Sequence, residues 1–402
     1  MTLHEKHQVT RKGPSKYTWE YELRWYHSHF YWFHFLFLVV LPVPIYIVSQ
    51  YVSLTRKTFW LAVSLHFVGG WCITGGYHRL FAHGSYRAKP FLRLFIAIVG
   101  AGEMQWSILW WVYHHRAHHR YTDTGRDPYD ARRGFLFCHI GWLLGYNPIA
   151  WGDVDISDIK SDRIVVWQQK YYVLLAVIAG VLLPMAIAHY GWNDWLGGAV
   201  YASGYRITFT LHTTFLVNSL SHAPWAGSQP YSSANTSRNV PLVALITGGE
   251  GSHNFHHTFP NDYRHGTNWI DLDYTKVVIW VLYKVGLVSS LKTVSNSEIE
   301  RARRLQEGHQ VGDDALDVSG LPGMSWTEFV EATTYGRCLV VINGIVNDVS
   351  QFMADHPGGR HLLQASVGKD ATEIFYAGDH YHSPHAEAVL ERLQIAVISK
   401  SS

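Results

Sequence analysis

The 402-residue chain is poor in the features that mark several common protein classes. It has only three cysteines, Cys72, Cys138 and Cys338, and they lie far apart. That spacing excludes a disulfide scaffold, a cysteine-rich zinc site and an iron–sulfur cluster, and leaves reduced structural thiols. Charge of one sign is missing as well: 33 Lys and Arg stand against 31 Asp and Glu, a formal net charge of +2. Without a basic excess there is no electrostatic case for nucleic acid as a partner. Residues 1–25 are polar and charged and lack the compact apolar core of a secretory leader, so a cleaved signal is not expected and insertion falls to internal segments. No glycine-rich strand-to-helix turn of the nicotinamide-binding kind is evident, so this chain is not expected to bind a nicotinamide cofactor itself.

Apolar runs and clustered histidines are what the chain does contain. Residues 33–50 and 59–76 are long enough to cross a bilayer, and the short polar turn between them, with Arg56 and Lys57, predicts a helical hairpin. Residues 171–190 predict a third span, and residues 196–220 a fourth that carries Arg206. Residues 91–99 are too short to span and run on into the aromatic stretch 104–113, which predicts an interfacial helix. Residues 274–291, interrupted by Lys276 and Lys284, read as an amphipathic surface helix.

Three histidine clusters lie between these segments: His78 and His83; His115, His118 and His119; and His253, His256 and His257. In the second and third clusters the i, i+3, i+4 spacing places the imidazoles on one face of a helix. His114 falls off that face and is left out. Asn218 and His222, also four apart, add an amide oxygen and a further imidazole near one end of the fourth span. With four spans in two hairpins, all the clusters fall on the side of both termini. One crossing more or fewer would separate them. Imidazole favours transition metals, iron among them, and this many candidate ligands suits two ions better than one.

These boxes resemble the membrane-bound acyl-CoA delta-9 desaturases, whose HxxxxH, HxxHH and HxxHH motifs surround two irons. The match spans residues 25–292 and includes Asn218-Ser-Leu-Ser-His222 and Gly249-Glu-Gly-Ser-His253-Asn-Phe-His256-His257. The resemblance implies His78, His83, His115, His118, His119, His222, His253, His256 and His257 as iron ligands, with Asn218 holding an iron directly or through water. It also implies that Asp123 and residues 127–133 support the histidines and the CoA-facing surface. One departure is Tyr113-His114, where the family commonly has Arg-Asp; this removes a CoA contact expected there. The expected reaction is oxygen-dependent formation of a cis C9–C10 double bond in a saturated long-chain acyl-CoA. A greasy tunnel would hold the chain, and Tyr77, Trp110 and Trp151 are candidate lining residues, although ordinary aromatic packing is the better explanation of each.

Residues 298–323 are charged and rich in Gly and Asp, and read as a linker that is helical at its start. Beyond it, alternating residues 339–345, the segment His356-Pro-Gly-Gly and the later His382-Ser-Pro-His385 resemble a cytochrome b5 domain over residues 325–399. His356 is then one axial ligand of haem b. His382 is favoured over His380 as the second, and His385 reads as a surface histidine. Two axial imidazoles leave no open position for O2, so the haem would carry single electrons.

The expected architecture is a multi-pass α-helical membrane protein with four transmembrane helices, a cytosolic helical diiron cap and a fused α+β cytochrome b5-like domain. Its expected parts are a tail (1–24), a membrane desaturase domain (25–297), a linker (298–323) and a haem domain (324–402). The resemblance further implies membrane lipids as surroundings, an endoplasmic-reticulum location with termini and cap in the cytosol, and an NADH–cytochrome b5 reductase as partner. Two alternatives predict different outcomes: a diiron hydroxylase or a desaturase of sphingolipid or glycerolipid chains would give other products, and a haem electron carrier whose membrane part is only structural would give haem reduction without a lipid product.

Overall fold

A computed structural model describes residues 19–145, 151, 154–267, 271–307, 321–354, 356, 358–377, 382 and 384–399. Helix α1 (Trp19–His29) precedes the membrane segments. Among the described residues three helices are long and apolar enough to cross a membrane: α2 (Trp32–Ser49), α3 (Arg56–Ala82) and α6 (Arg163–Trp192). They leave Phe33, Tyr46, Trp60, Val173 and Leu174 exposed, large apolar side chains of the kind that face lipid. The fourth expected span coincides with a continuous helical segment over residues 195–222, here α7. Thr208, Thr210, Thr213 and Thr214, with Arg206 and His212, make α7 less apolar than the other three.

Arg206 is accommodated because it is paired. It forms a buried ion pair with Glu103, and its Nη2 donates to the carbonyls of Gly102 and Gly180 at 3.3 Å each. A buried charge is tolerated on such terms, paired and hydrogen-bonded.

The chain boundaries of α3 differ from expectation for a local reason. Thr55 caps its N-terminus, accepting from the Thr58 amide at 3.2 Å, so Arg56 and Lys57 join the first helical turn instead of the preceding loop. At its far end α3 widens to a buried π-helical stretch, Cys72–Ala82, which carries His78. Such widening recurs at functional sites because it re-aims side chains.

The two hairpin turns lie together. Asp194, between α6 and α7, accepts from the hydroxyls of Thr55 and Thr58, and Tyr201 Oη on α7 donates to the carbonyls of Ser49 and Val52 at 3.1 and 2.5 Å. With the turns at one end, the ends of α3 and α7 that carry His78, His83, Asn218 and His222 fall together at the other.

Helix α4 (Pro90–Ala101) buries Leu92, Ile96 and Ala97 and exposes Phe91, Leu94 and Phe95, as an interfacial helix does. It does not continue into the aromatic stretch. Met104 and Trp106 adopt positive φ of 55° and 66°, and Ser107 then caps α5 (Ile108–Tyr121) by accepting from the Trp110 amide at 3.2 Å. The cap is completed by α8 (His253–Thr258), α9 (Tyr274–Lys284) and α10 (Asn296–Gln306), with the short antiparallel pair β1 (Arg87–Ala88) and β2 (Val288–Ser289).

The C-terminal part is an α+β unit. Its sheet runs in the order β3 (Gly323–Met324), β6 (Gln394–Ile398), β5 (Ile345–Asp348), β4 (Leu339–Ile342). The β4–β5 hairpin turns on Asn343 and Gly344, both at positive φ (52° and 74°), the conformation a two-residue turn between twisted strands requires. Helices α11 (Trp326–Thr334), α12 (Arg360–Ser366), α13 (Thr372–Ala377) and α14 (Pro384–Leu393) pack around it.

Candidate metal centre

The histidine boxes converge from four separate stretches of chain into two groups. His78, His83, His115, His119 and His256 form one, and His118, His222, His253 and His257 the other; in each, one ligating atom per residue lies within 4.8 Å of all the rest. The second histidine box is split between them: the i+4 pair His115 and His119 enters the first group while His118 turns to the second. The third box divides likewise, His256 to the first and His253 with His257 to the second.

Ring nitrogens face each other across both groups. The Nε2···Nε2 separations are 2.7 Å for His83 and His115, 2.8 Å for His119 and His256, and 3.0 Å for His78 and His256. In the second group they are 3.0 Å for both His222–His253 and His253–His257, and 3.2 Å for His118–His257. Burial drives His83, His115, His118, His119, His253, His256 and His257 well below the ordinary imidazole value, and neighbouring imidazoles add to the effect. Neutral imidazoles with opposed lone pairs, closed off from water, fit transition-metal ions in their midst.

The opposite ring nitrogens fix the tautomers. His118 Nδ1 donates to Asp127 Oδ1 at 2.9 Å and His222 Nδ1 to Thr236 Oγ1 at 2.8 Å, while His78 Nδ1 lies 2.8 Å from Glu250 Oε2. Thr236 in turn donates to Asp123 Oδ1 at 2.8 Å. Each carboxylate or hydroxyl thereby leaves Nε2 unprotonated and aimed inward, the arrangement that orients metal-bound histidine. Burial works to raise Glu250, but His265, His78 and the Arg79 guanidinium outweigh it and hold the carboxyl well below its usual range. Arg79 itself is buried and bridges Glu250 to Asp273, at 3.2 and 2.9 Å.

Asn218 lines a cavity beside the second group, which it shares with Trp106, Trp110, Trp111, Gln105 and Thr214. Gln105 Nε2 donates to Thr214 Oγ1 at 2.9 Å. Of the other aromatic candidates, Tyr77 is buried in the helical core with its hydroxyl accepting from Gln168 at 2.8 Å, and Trp151 packs on His114. His114 stays out of both groups, its Nδ1 donating to the Trp110 carbonyl at 2.7 Å.

Sequence spacing did not reveal Glu250, His265, Thr236 or Arg79 as supporting residues. Glu250 sits inside the Gly-Glu-Gly-Ser-His segment, and that adjacency was its only signal. His265, fully buried, lies 3.1 Å from Glu250 and stacks on His256 with ring centroids 4.4 Å apart.

In the C-terminal unit the rings of His356 and His382 face each other with centroids 6.5 Å apart. His356 Nδ1 donates to the Gly359 carbonyl at 3.1 Å and His382 Nδ1 to the Phe375 carbonyl at 2.9 Å, so each turns Nε2 towards the gap. Burial lowers His382 and pushes His356 down to about 4. Two neutral imidazoles opposed in this way fit the axial positions of a haem. Asp355, Pro357 and His380 lie outside the described residues, as does the side chain of His385.

A helical membrane region with a polyhistidine metal pocket, joined to a small unit with paired axial-type histidines, defines a membrane-bound redox enzyme. Residues 57–280 match the fatty acid desaturase family and residues 325–399 the cytochrome b5-like heme/steroid binding domain. Acyl-CoA desaturase 1 of Saccharomyces cerevisiae is 40% identical over 385 residues, covering 94% of this chain and 75% of its own. A probable acyl-CoA desaturase of Schizosaccharomyces pombe is 39% identical over 94% of this chain and 79% of its own. Human stearoyl-CoA desaturase 5 is 39% identical over 59% of this chain and 72% of its own. The chain belongs to the fatty acid desaturase family, as an oxidoreductase carrying a fused cytochrome b5 domain.

Proposed function

We propose that this enzyme introduces a cis double bond between C9 and C10 of a saturated long-chain acyl-CoA, using O2 and electrons from NADH. The observation that carries this reading is the placing of the two histidine groups on the wall of an aromatic-lined cavity: His78 and His115 from one group and His118 and His253 from the other all line it. The names of several relatives agree, among them an acyl-CoA delta-9 desaturase of Acheta domesticus, 40% identical over 64% of this chain.

In this reading His78, His83, His115, His119 and His256 hold one iron, and His118, His222, His253 and His257 the other, with Asn218 beside the second directly or through water. When bound, the irons supply an oxidant from O2 strong enough to take hydrogen from unactivated methylenes, which acid–base groups cannot do. The protein's own part is positional. Glu250, Asp127 and the Thr236–Asp123 pair hold the imidazoles in register, and Trp106, Trp110 and Trp111 exclude water from the acyl chain. Each methylene buried there contributes about 0.8 kcal/mol, so chain length tells in binding.

His356 and His382 would hold haem b in the fused domain, where it would supply one-electron transfer, with an NADH–cytochrome b5 reductase as the source of electrons. Helices α2, α3, α6 and α7 form four crossings in the endoplasmic-reticulum membrane, with the cap, the haem domain and both termini in the cytosol. The joined hairpin turns at the opposite end support that count. The test is mass spectrometry with double-bond localisation on products from iron-loaded protein, stearoyl-CoA, O2, NADH and reductase. A cis-9 product is expected, and a hydroxylated product or none would overturn the reading.

A further inference from the structure

Helix α10 has two working faces. On one, Ile299 and Ala302 are buried against Tyr231, Phe255 and Phe259, and Phe255 lies within the third histidine box. On the other, Arg301 forms a bidentate pair with Glu391 of α14, both bonds 2.6 Å, and Glu298 pairs with Arg392. The two pairs have opposite polarity along the helix. A shift in register would set like charges together, so the pattern specifies one seating. The segment expected as the start of a loose linker is thus a wedge between the histidine cap and the helix that follows His382.

A second contact lies beside the other axial histidine. Gly359, three residues after His356, has φ of 94° and packs so close to Asp155 that a Cβ there would lie 2.6 Å from the Asp155 Cβ. His361 Nδ1 approaches Asp155 Oδ2 at 3.6 Å. The Asp155 carbonyl accepts from Arg116 Nη1 at 2.8 Å, and Arg116, in the second histidine box, also donates to the carbonyls of Phe81 and Ala82 in the first, at 3.1 and 2.9 Å. The loop that bears His356 and the helix that follows His382 are therefore both tied to elements of the cap.

We propose that α10 and the Asp155–Arg116 corner form a docking cradle that seats the haem domain on the metal cap of its own chain, and that electrons are delivered across this contact within one molecule. The inference rests on the reading of the fused domain as electron donor. Arg301 and Glu391 touch neither the histidine groups nor the paired axial histidines, so the charge pair can be varied while both centres stay intact.

The experiment uses full-length, iron- and haem-loaded protein. The haem is reduced with NADH and reductase, mixed with O2 and stearoyl-CoA, and its reoxidation followed by stopped flow. Arg301→Glu and Glu391→Arg alone are each expected to slow reoxidation about tenfold, and the double exchange to restore it to within about threefold, with reduction by the reductase unchanged. The wild-type rate constant is expected to be independent of protein concentration. Single variants that reoxidise at the wild-type rate, a double variant no faster than the singles, or a rate that rises with protein concentration would each overturn the cradle. A wild-type protein that forms desaturated product only when a separate cytochrome b5 is added would instead overturn the donor reading on which it rests.

Discussion

The metal cap and the haem domain solve the same problem, aiming neutral imidazoles at a metal, by opposite means. In the haem domain each ring is anchored by a backbone carbonyl close in sequence, Gly359 for His356 and Phe375 for His382. In the cap the anchors are side chains: Glu250, from a distant segment, for His78, Asp127 for His118, and Thr236 for His222. A backbone anchor survives side-chain substitution, whereas a carboxylate anchor can be removed by a single change and leaves a buried ring unoriented. The cap therefore depends on a second layer of charge, Glu250, Arg79 and Asp273.

The largest effect separating the two regions is expected from removing a ligand. His118→Ala should abolish desaturated product, by about a thousandfold or more, while the haem spectrum is retained. His356→Ala should do the converse, losing haem absorbance and NADH-driven turnover with non-haem iron kept, as metal analysis will show. Removing only the orienting carboxylates sharpens the contrast. Glu250→Gln and Asp127→Asn should each cost about 10–100-fold in iron affinity or activity, read by chelator competition, without altering haem binding.

Acid should also divide the regions, more gently. The cap imidazoles are held neutral, with values below the ordinary 6.5, so below pH 6.5 the unfolded chain binds more protons than the folded one. Stability and iron retention should therefore be complete above that pH and fall progressively beneath it, as calorimetry and iron release will register. With so many buried imidazoles against two, the cap should yield before the haem domain.

The smallest effect is local. Replacing Asn343 by Val, a β-branched residue at positive φ, should destabilise the haem domain by about 1–2 kcal/mol and leave the cap untouched, visible as a lowered midpoint of haem-domain unfolding.

The same contrast explains what could be read from sequence. Residues 33–50, 59–76 and 171–190 were legible as spans because length and apolarity alone decide insertion. The boxes were legible because i, i+3, i+4 spacing is a property of one helix, yet that spacing could not say that His118 would leave His115 and His119 to join His222. Partition between two groups depends on how α5 meets α7 and α8, which no local pattern records. Thr236 and His265 lie outside the boxes and Glu250 acts on a histidine of a distant one, so box spacing carried no sign of their roles beyond Glu250's place three residues before His253. The break at Met104 and Trp106 was hidden by an unbroken apolar composition, since positive φ at such residues is imposed by packing, here a bond from the Trp106 amide to Tyr172 Oη at 2.8 Å.

The most direct test of the account is the ratio of non-haem iron to haem in the purified, iron-loaded protein, measured by metal analysis alongside haem absorbance. Two separate histidine groups and one facing histidine pair predict two non-haem irons for each haem. A ratio of one or less under saturating iron would contradict the division of the boxes into two metal sites.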